Sequence, residues 1–177
     1  MPKSMKKRPR EKNNMYAAGI LTISDSAARG EREDSGGPVI AGLLGQNGFN
    51  VLIQRVAPDE ERLIREILIE WADKKGVDII VTTGGTGLTP RDITPEATRA
   101  VINRDIPGIP EAMRAIGLAE NPRAMLSRSV AGVRGQTLII NLPGSPAGVE
   151  TGLSVVMPVL KHAIDKIKGD KTPCCER

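Results

Sequence analysis

The sequence predicts a three-layer α/β/α domain built on a mostly parallel sheet, with a C-terminal β-hairpin strand. Three observations carry that expectation. Short, almost wholly apolar runs recur along the chain, as strands buried on both faces require. Between them lie segments with apolar residues on one helical face, so strands and helices alternate and right-handed crossovers can join parallel strands. The chain has 177 residues, 40% hydrophobic and 26% charged, which suits one globular domain, and no internal repeat points to a second.

The first expected strand is YAAGILTIS, residues 16–24, which stops at the turn-forming Asp25 and Ser26. Residues 27–35 read as a polar loop. A short helix follows over 36–45, with Val39, Ile40, Leu43 and Leu44 apolar and Gly48 ending it. FNVLIQRVAP, residues 49–58, is the second strand. The clearest helix spans 59–75, because Leu63, Ile64, Ile67, Leu68, Trp71 and Ala72 share one face before Gly76. VDIIVTT, residues 77–83, is the third strand and runs into GGTGLTPRD. Thr94 as N-cap, Pro95 at the first helical position and the early acid Glu96 then start a helix to about Asn103. A further helix is expected over 107–121, edged by Pro107, Pro110 and Pro122. Segments 129–133 and 137–142 flank Arg134-Gly135-Gln136 as a hairpin. Ser145-Pro146 repeats the cap-then-proline signal and opens a long helix to about Lys168. A kink or break is expected at Pro158, since an interior proline costs ~3 kcal/mol.

The net charge is +4 and the pI 9.3, but Lys3, Lys6, Lys7, Arg8, Arg10 and Lys12 against Glu11 place more than all of the excess in residues 1–14. Residues 1–14 are read as a basic flexible tail, 15–168 as the domain and 169–177 as a C-terminal tail. Tyr16, Phe49 and Trp71 are scattered and make no stacking platform, so nucleic acid is not expected as a partner. No run reaches the ~18 apolar residues of a membrane span. No apolar stretch follows the first basic residues either, so the cytoplasm is the expected location. Cys174 and Cys175 are adjacent near the end, where they can neither staple a core nor supply a spaced metal site. Deletion of residues 1–14, which lack apolar periodicity, is expected to shift the melting temperature by less than ~5 °C. Thermal unfolding of the truncated chain checks this, and a larger fall would mean that the segment joins the core.

In an open parallel sheet, ligands bind beyond the carboxyl ends of the strands. That rule selects the loops after residues 24, 57, 83 and 141, and with them the carboxylates Asp25, Asp59 and Asp92. Glycines let backbone N–H groups approach phosphate, and hard carboxylates hold Mg²⁺, so the composition fits a phosphate and a divalent metal. GGTGLTPRD lacks the lysine of a P-loop and the third glycine of GxGxxG. Its bare Gly84, Gly85 and Gly87 nonetheless sit among Thr82, Thr83, Thr86 and Thr89, which suits a ligand rich in acceptors. A bulky residue at Gly87 is expected to block phosphate approach and to forbid positive φ.

LTISDS, DSGG, APDE, TTGGTGLTPRDITPEAT, MLSRSVAGVRGQTLIINLPGSP and LKHAIDKIKGD together resemble the molybdopterin adenylyltransferase family of Mog/MoaB type, and are similar to the G domains of eukaryotic molybdenum-cofactor fusion proteins. The likeness runs from about residue 16 to 170. It implies an enzyme that transfers AMP from Mg-ATP to the terminal phosphate of molybdopterin, with hand-over of the product to a molybdotransferase, and a homotrimer. By position in the motifs it makes Asp59 and Asp92 the catalytic pair and the holders of Mg²⁺. Ser24, Asp25, Thr83, Gly84, Gly85, Thr86, Gly87, Arg91, Asn141, Pro143, Gly144 and Ser145 are the ligand-binding candidates.

Plainer readings stand beside these. Asp59 directly precedes a helix and could be its N-cap, whereas Asp92 has no evident structural duty if Thr94 is the cap. Asp25 and Asp34 suit turn or cap roles as well as ligand contact. Ser145 suits both a cap and an anion site. Arg91 and Arg128 suit phosphate or plain surface charge, and His162 an exposed helical position. The rival function is a molybdopterin carrier that transfers no AMP.

Overall fold

The structure, a computed structural model, describes residues 15–172, so the expectations for residues 1–14 and for Cys174 and Cys175 lie outside it. The chain forms β1 (Tyr16–Ile23), α1 (Asp25–Ala28), α2 (Gly36–Gln46), β2 (Phe49–Ala57), α3 (Glu61–Glu70), β3 (Ile79–Thr83), α4 (Thr94–Arg99), β4 (Arg104–Asp105), α5 (Gly108–Glu120), β5 (Ala131–Arg134), β6 (Thr137–Leu142) and α6 (Pro146–Ile167). One sheet runs in the order β2-β1-β3-β6-β5-β4. Neighbours among the first four strands are parallel, and β5 is antiparallel to both β6 and β4.

Alternation along the strands builds the three layers. Ala18 and Ile20 of β1, Ile79 and Val81 of β3, and Leu138, Ile140 and Leu142 of β6 pack with α2, α5 and α6. Leu21 and Ile23, Ile80 and Ile139 point the other way, onto Ile64, Ile67, Leu68 and Trp71 of the α3 segment and Ala97 of α4. Gly19 is bare because a Cβ there would lie 2.8 Å from the Trp71 ring. The chain leaves β1 toward β2 on one side and returns past it to β3 on the other. This reversal opens a crevice at the carboxyl ends of β1 and β3.

Several local expectations give way. The stretch read as loop begins with the one-turn α1, capped by Ser24, whose Oγ accepts from Ala27 N at 3.3 Å. The α3 segment closes in a wide π-turn over Trp71–Lys75 that ends on the left-handed Gly76, φ 69°. The two-residue β4 and the 3₁₀ turn Pro122–Leu126 carry too few residues to show a period. Pro158 does not break α6, which runs unbroken for 22 residues. Leu160 and Ile164 beyond the proline are fully buried, and that packing outweighs the lost N–H. Thr94 is not a cap either: Ile93 occupies that position, and the buried Thr94 Oγ1 has no hydrogen-bond partner. Residues 169–172 fold back on the end of α6, where Lys166 Nζ pairs with Asp170 at 3.0 Å.

Candidate functional site at the strand ends

The glycine loop leaves β3 with Gly84 and Gly85 in the left-handed region, φ 95° and 63°. A Cβ on Gly84 would sit 2.1 Å from the carbonyl oxygen of Ile23, so only glycine fits between β1 and this loop. Gly87 is bare for another reason than the one expected: its φ is not positive, and a Cβ there would lie 3.0 Å from Asp92 Oδ2. The amides of Gly85, Thr86 and Gly87 donate to nothing among the described residues. Unpaired amides on a bare loop are an anion cradle.

Two carboxylates bracket that cradle. The Gly85 Cβ position is 2.9 Å from Asp59 Oδ1 and 2.3 Å from the unpartnered Thr94 Oγ1, while Asp92 faces Gly87. Asp59 is not the N-cap of α3, because Glu60 holds that position. Instead Asp59 and Asp25 clasp each other: Asp25 N donates to Asp59 Oδ2 and Asp59 N to Asp25 Oδ1, both at 3.0 Å. Arg91 reaches across and binds both oxygens of Asp25 through Nε and Nη2, at 3.0 and 2.8 Å, which leaves Nη1 open. Asp92 does have a structural duty, since its Oδ2 accepts from Thr89 N at 2.8 Å. Oδ1 of Asp59 and Oδ1 of Asp92 have no partner among the described residues.

Burial raises the Asp59 carboxyl above its ordinary range, and the charges of Asp25 and Asp92 push the same way. Asp25 moves down, held ionised chiefly by the Arg91 hydrogen bonds and then by the Asp59 amide. The corner thus carries more negative charge than Arg91 alone offsets.

Two clefts meet here. The larger, about 620 Å³, runs from Gly85–Leu88 and Asp92 past Met113 and Arg114 of α5 to the start of α6. The smaller, about 330 Å³, lies over Ser24, Asp34, Thr83 and Gly84. Gly144 and Ser145 wall both. Thr83 Oγ1 donates to the Pro143 carbonyl at 2.7 Å and so ties β3 to this wall. Ser145 caps α6, its Oγ accepting from Gly148 N at 3.2 Å, and the helix N-terminus faces the clefts.

Asp34 stands one residue before the N-cap Ser35, and its Oδ1 accepts from Gly36 N and Gly37 N of the first turn of α2, at 3.1 and 2.9 Å. His162 is exposed on α6. Asn141 is fully buried behind the site: it donates to Thr82 Oγ1 and Thr98 Oγ1, both at 2.9 Å, and accepts from Val130 N at 3.2 Å. It ties β6 to β3, to α4 and to the residue before β5, and it lines neither cleft. Asn141→Ala strands these groups and is expected to cost about 2–3 kcal/mol. That corresponds to a fall of roughly 5–10 °C in melting temperature, read by thermal denaturation. A fall under ~2 °C would mean that the three bonds contribute little. Sequence reasoning missed the duty of Arg128 and the unpaired Thr94, and a serine-arginine pair leading into a strand was the available signal for the first.

A family profile described as a probable molybdopterin binding domain matches residues 19–162. The chain is 42% identical to the molybdopterin adenylyltransferase of Helicobacter pylori strain J99, over 86% of this chain and 88% of that protein. It is 41% identical to gephyrin of Dictyostelium discoideum over 89% of this chain, yet spans only 23% of gephyrin's length. Among solved structures it is similar to the molybdopterin biosynthesis enzyme MoaB of Thermus thermophilus, with 51% identity, a TM-score of 0.84, and coverage of 88% of this chain and 98% of that one.

Proposed function

The chain belongs to the molybdopterin-binding domain family of molybdenum-cofactor biosynthesis, and from that premise we propose that it transfers AMP from Mg-ATP to the terminal phosphate of molybdopterin and releases pyrophosphate. One observation supports this most directly: Asp59 and Asp92, each with an unpaired oxygen, bracket a glycine loop whose amides are free.

In this reaction the attacking group is a phosphate oxygen already ionised at neutral pH, so no side-chain nucleophile is needed. The chain's part is positioning and charge neutralisation. Amides of Gly85, Thr86 and Gly87 and the N-terminus of α6 hold phosphate oxygens, and the two clefts accept the two substrates side by side at the Gly144–Ser145 wall. Magnesium fits the donors present. Among the described residues no three acidic, histidine or cysteine side chains converge as an all-protein cage. Two carboxylates beside a phosphate cradle match an ion that takes its remaining ligands from substrate and water. Asp59 and Asp92 would hold it, and when bound it would neutralise charge on the triphosphate.

The reading extends to a cytoplasmic homotrimer that hands its product to a molybdotransferase. No helix among the described residues is long and apolar enough to cross a membrane, and Ile116, Leu118, Met125 and Leu126 leave apolar surface exposed on α5 and the turn after it. The test is incubation with molybdopterin and Mg-ATP. Adenylylated pterin and pyrophosphate are expected; pterin binding with no pyrophosphate release would assign a carrier instead.

A further inference from the structure

We infer that Arg128 is a positioning residue for adenylyl transfer: it clips the glycine loop to Asp92 from behind and so fixes where the Asp92 carboxylate stands. The inference rests on the transfer reading above for its kinetic consequence, and on geometry alone for the clip.

Arg128 lies just before β5, 36 residues from Asp92 in sequence. Its Nε donates to the carbonyl of Gly87 at 2.7 Å, its Nη2 to the carbonyl of Asp92, and its Nη1 to the Glu96 carboxylate. Its backbone N–H adds a bond to the Thr86 carbonyl at 3.0 Å. One planar guanidinium thus binds the end of the glycine loop, the backbone of the catalytic aspartate and the first turn of α4. All three guanidinium nitrogens bind protein acceptors, which fixes the plane of the fork. Arg128 is also absent from the walls of both substrate clefts and lines a third hollow of about 480 Å³, which adjoins the larger cleft at Pro110, Arg114 and Ser129. Arg114 steadies the same segment through the Ser127 carbonyl at 3.3 Å. A fork of fixed geometry suits this duty better than a lysine, which offers a single point charge.

A catalytic carboxylate displaced by about 1 Å can cost 100-fold in rate. Arg128→Gln is therefore expected to lower kcat by about 10- to 100-fold while molybdopterin affinity changes less than threefold. Arg128→Lys should fall between the variant and the wild type. The amides of Thr89 and Asp92, bonded across the turn, should exchange hydrogen faster in Arg128→Gln, with exchange in β1 and β6 unchanged. Methylguanidinium, entering through the open hollow, should restore part of the activity of Arg128→Ala, which a general loss of stability would not allow. Glu96→Gln, an exposed change that removes the charge from one anchor of the fork, serves if the arginine variants fold poorly, and should show the same pattern more weakly.

A wild-type kcat in Arg128→Gln, or loop exchange that does not change, would overturn the inference. So would a loss spread equally over kcat, pterin affinity and melting temperature without guanidinium rescue. If the wild type itself forms no adenylylated pterin, the transfer reading fails, and the exchange contrast alone then decides whether the clip exists.

Discussion

Asp92→Asn is expected to slow the formation of adenylylated molybdopterin by about 100-fold while pterin binding persists. The amide keeps an oxygen that can accept from Thr89 N, so the turn at 89–92 should survive. What disappears is the negative charge beside the phosphate cradle. Loss of one preorganised electrostatic group costs ~3 kcal/mol in the transition state, which is the hundredfold expected. Asp59→Asn should show a similar loss in rate, and it separates function from stability. The wild-type carboxyl is raised above its ordinary value of 3.8 because burial and two neighbouring carboxylates oppose its charge. A raised acid binds more protons folded than unfolded, so its charge costs stability above the folded pKa, and the cost fades as pH falls through that value. Without ligand, Asp59→Asn should therefore melt at or above the wild-type temperature at pH 7, and the advantage should vanish below the unfolded value of 3.8. Single-turnover assays and melting curves at both pH values check this. Full activity in both variants would remove Asp59 and Asp92 from the site.

Gly85→Ala is expected to damage binding and stability together. A side chain at φ 63° costs ~1–2 kcal/mol by itself. The new Cβ also meets Thr94 Oγ1 and Asp59 Oδ1 at 2.3 and 2.9 Å, and Asp59 is held in place by the Asp25 amide. Overpacking of this kind adds ~1–3 kcal/mol, so a total of about 2–5 kcal/mol is expected. ATP affinity should fall at least about tenfold, the effect of ~1.4 kcal/mol, because the cradle must shift. Gly135→Ala is the control, since Gly135 has φ 56° on the hairpin turn and no atom within 4 Å of its Cβ position. It should carry the backbone cost alone, with activity unchanged. Calorimetric titration with ATP and chemical denaturation distinguish the two variants, and equal effects would mean that the contacts at Gly85 are unimportant.

Much of this was legible in the sequence. The alternation of apolar runs with amphipathic segments predicts the layers, and the strand-end rule singles out Asp25, Asp59, Asp92 and the glycine loop from spacing alone. What stayed hidden depends on partners distant in sequence. Asn141 looks like a strand-end ligand until Thr82, Thr98 and Val130 close around it. The pairing of Arg91 with Asp25, 66 residues away, leaves no trace in the local sequence of either. Thr94 reads as a cap because threonine before proline usually is one, yet the chain enters α4 one residue earlier and leaves the hydroxyl buried at Gly85. Strands of two residues and helices of four are too short for any period to reveal.

The strand order also bears on when the site comes into being. Asp25 follows β1, Asp59 follows β2 and the glycine loop follows β3, yet β1 lies between the other two in the sheet. Asp25 and Asp59 are 34 residues apart, and Arg91 lies 66 from Asp25. Asp25 and Asp59 can meet once the first crossover has docked β2 on β1, but Arg91 and the glycine loop join them only when the second has docked β3, and such long-range closures come late because their entropy is lost before their contacts form. A refolding chain should therefore regain helical signal before it regains nucleotide binding. The same separation makes any partly folded species inert, so catalytic competence reports completion of the central sheet.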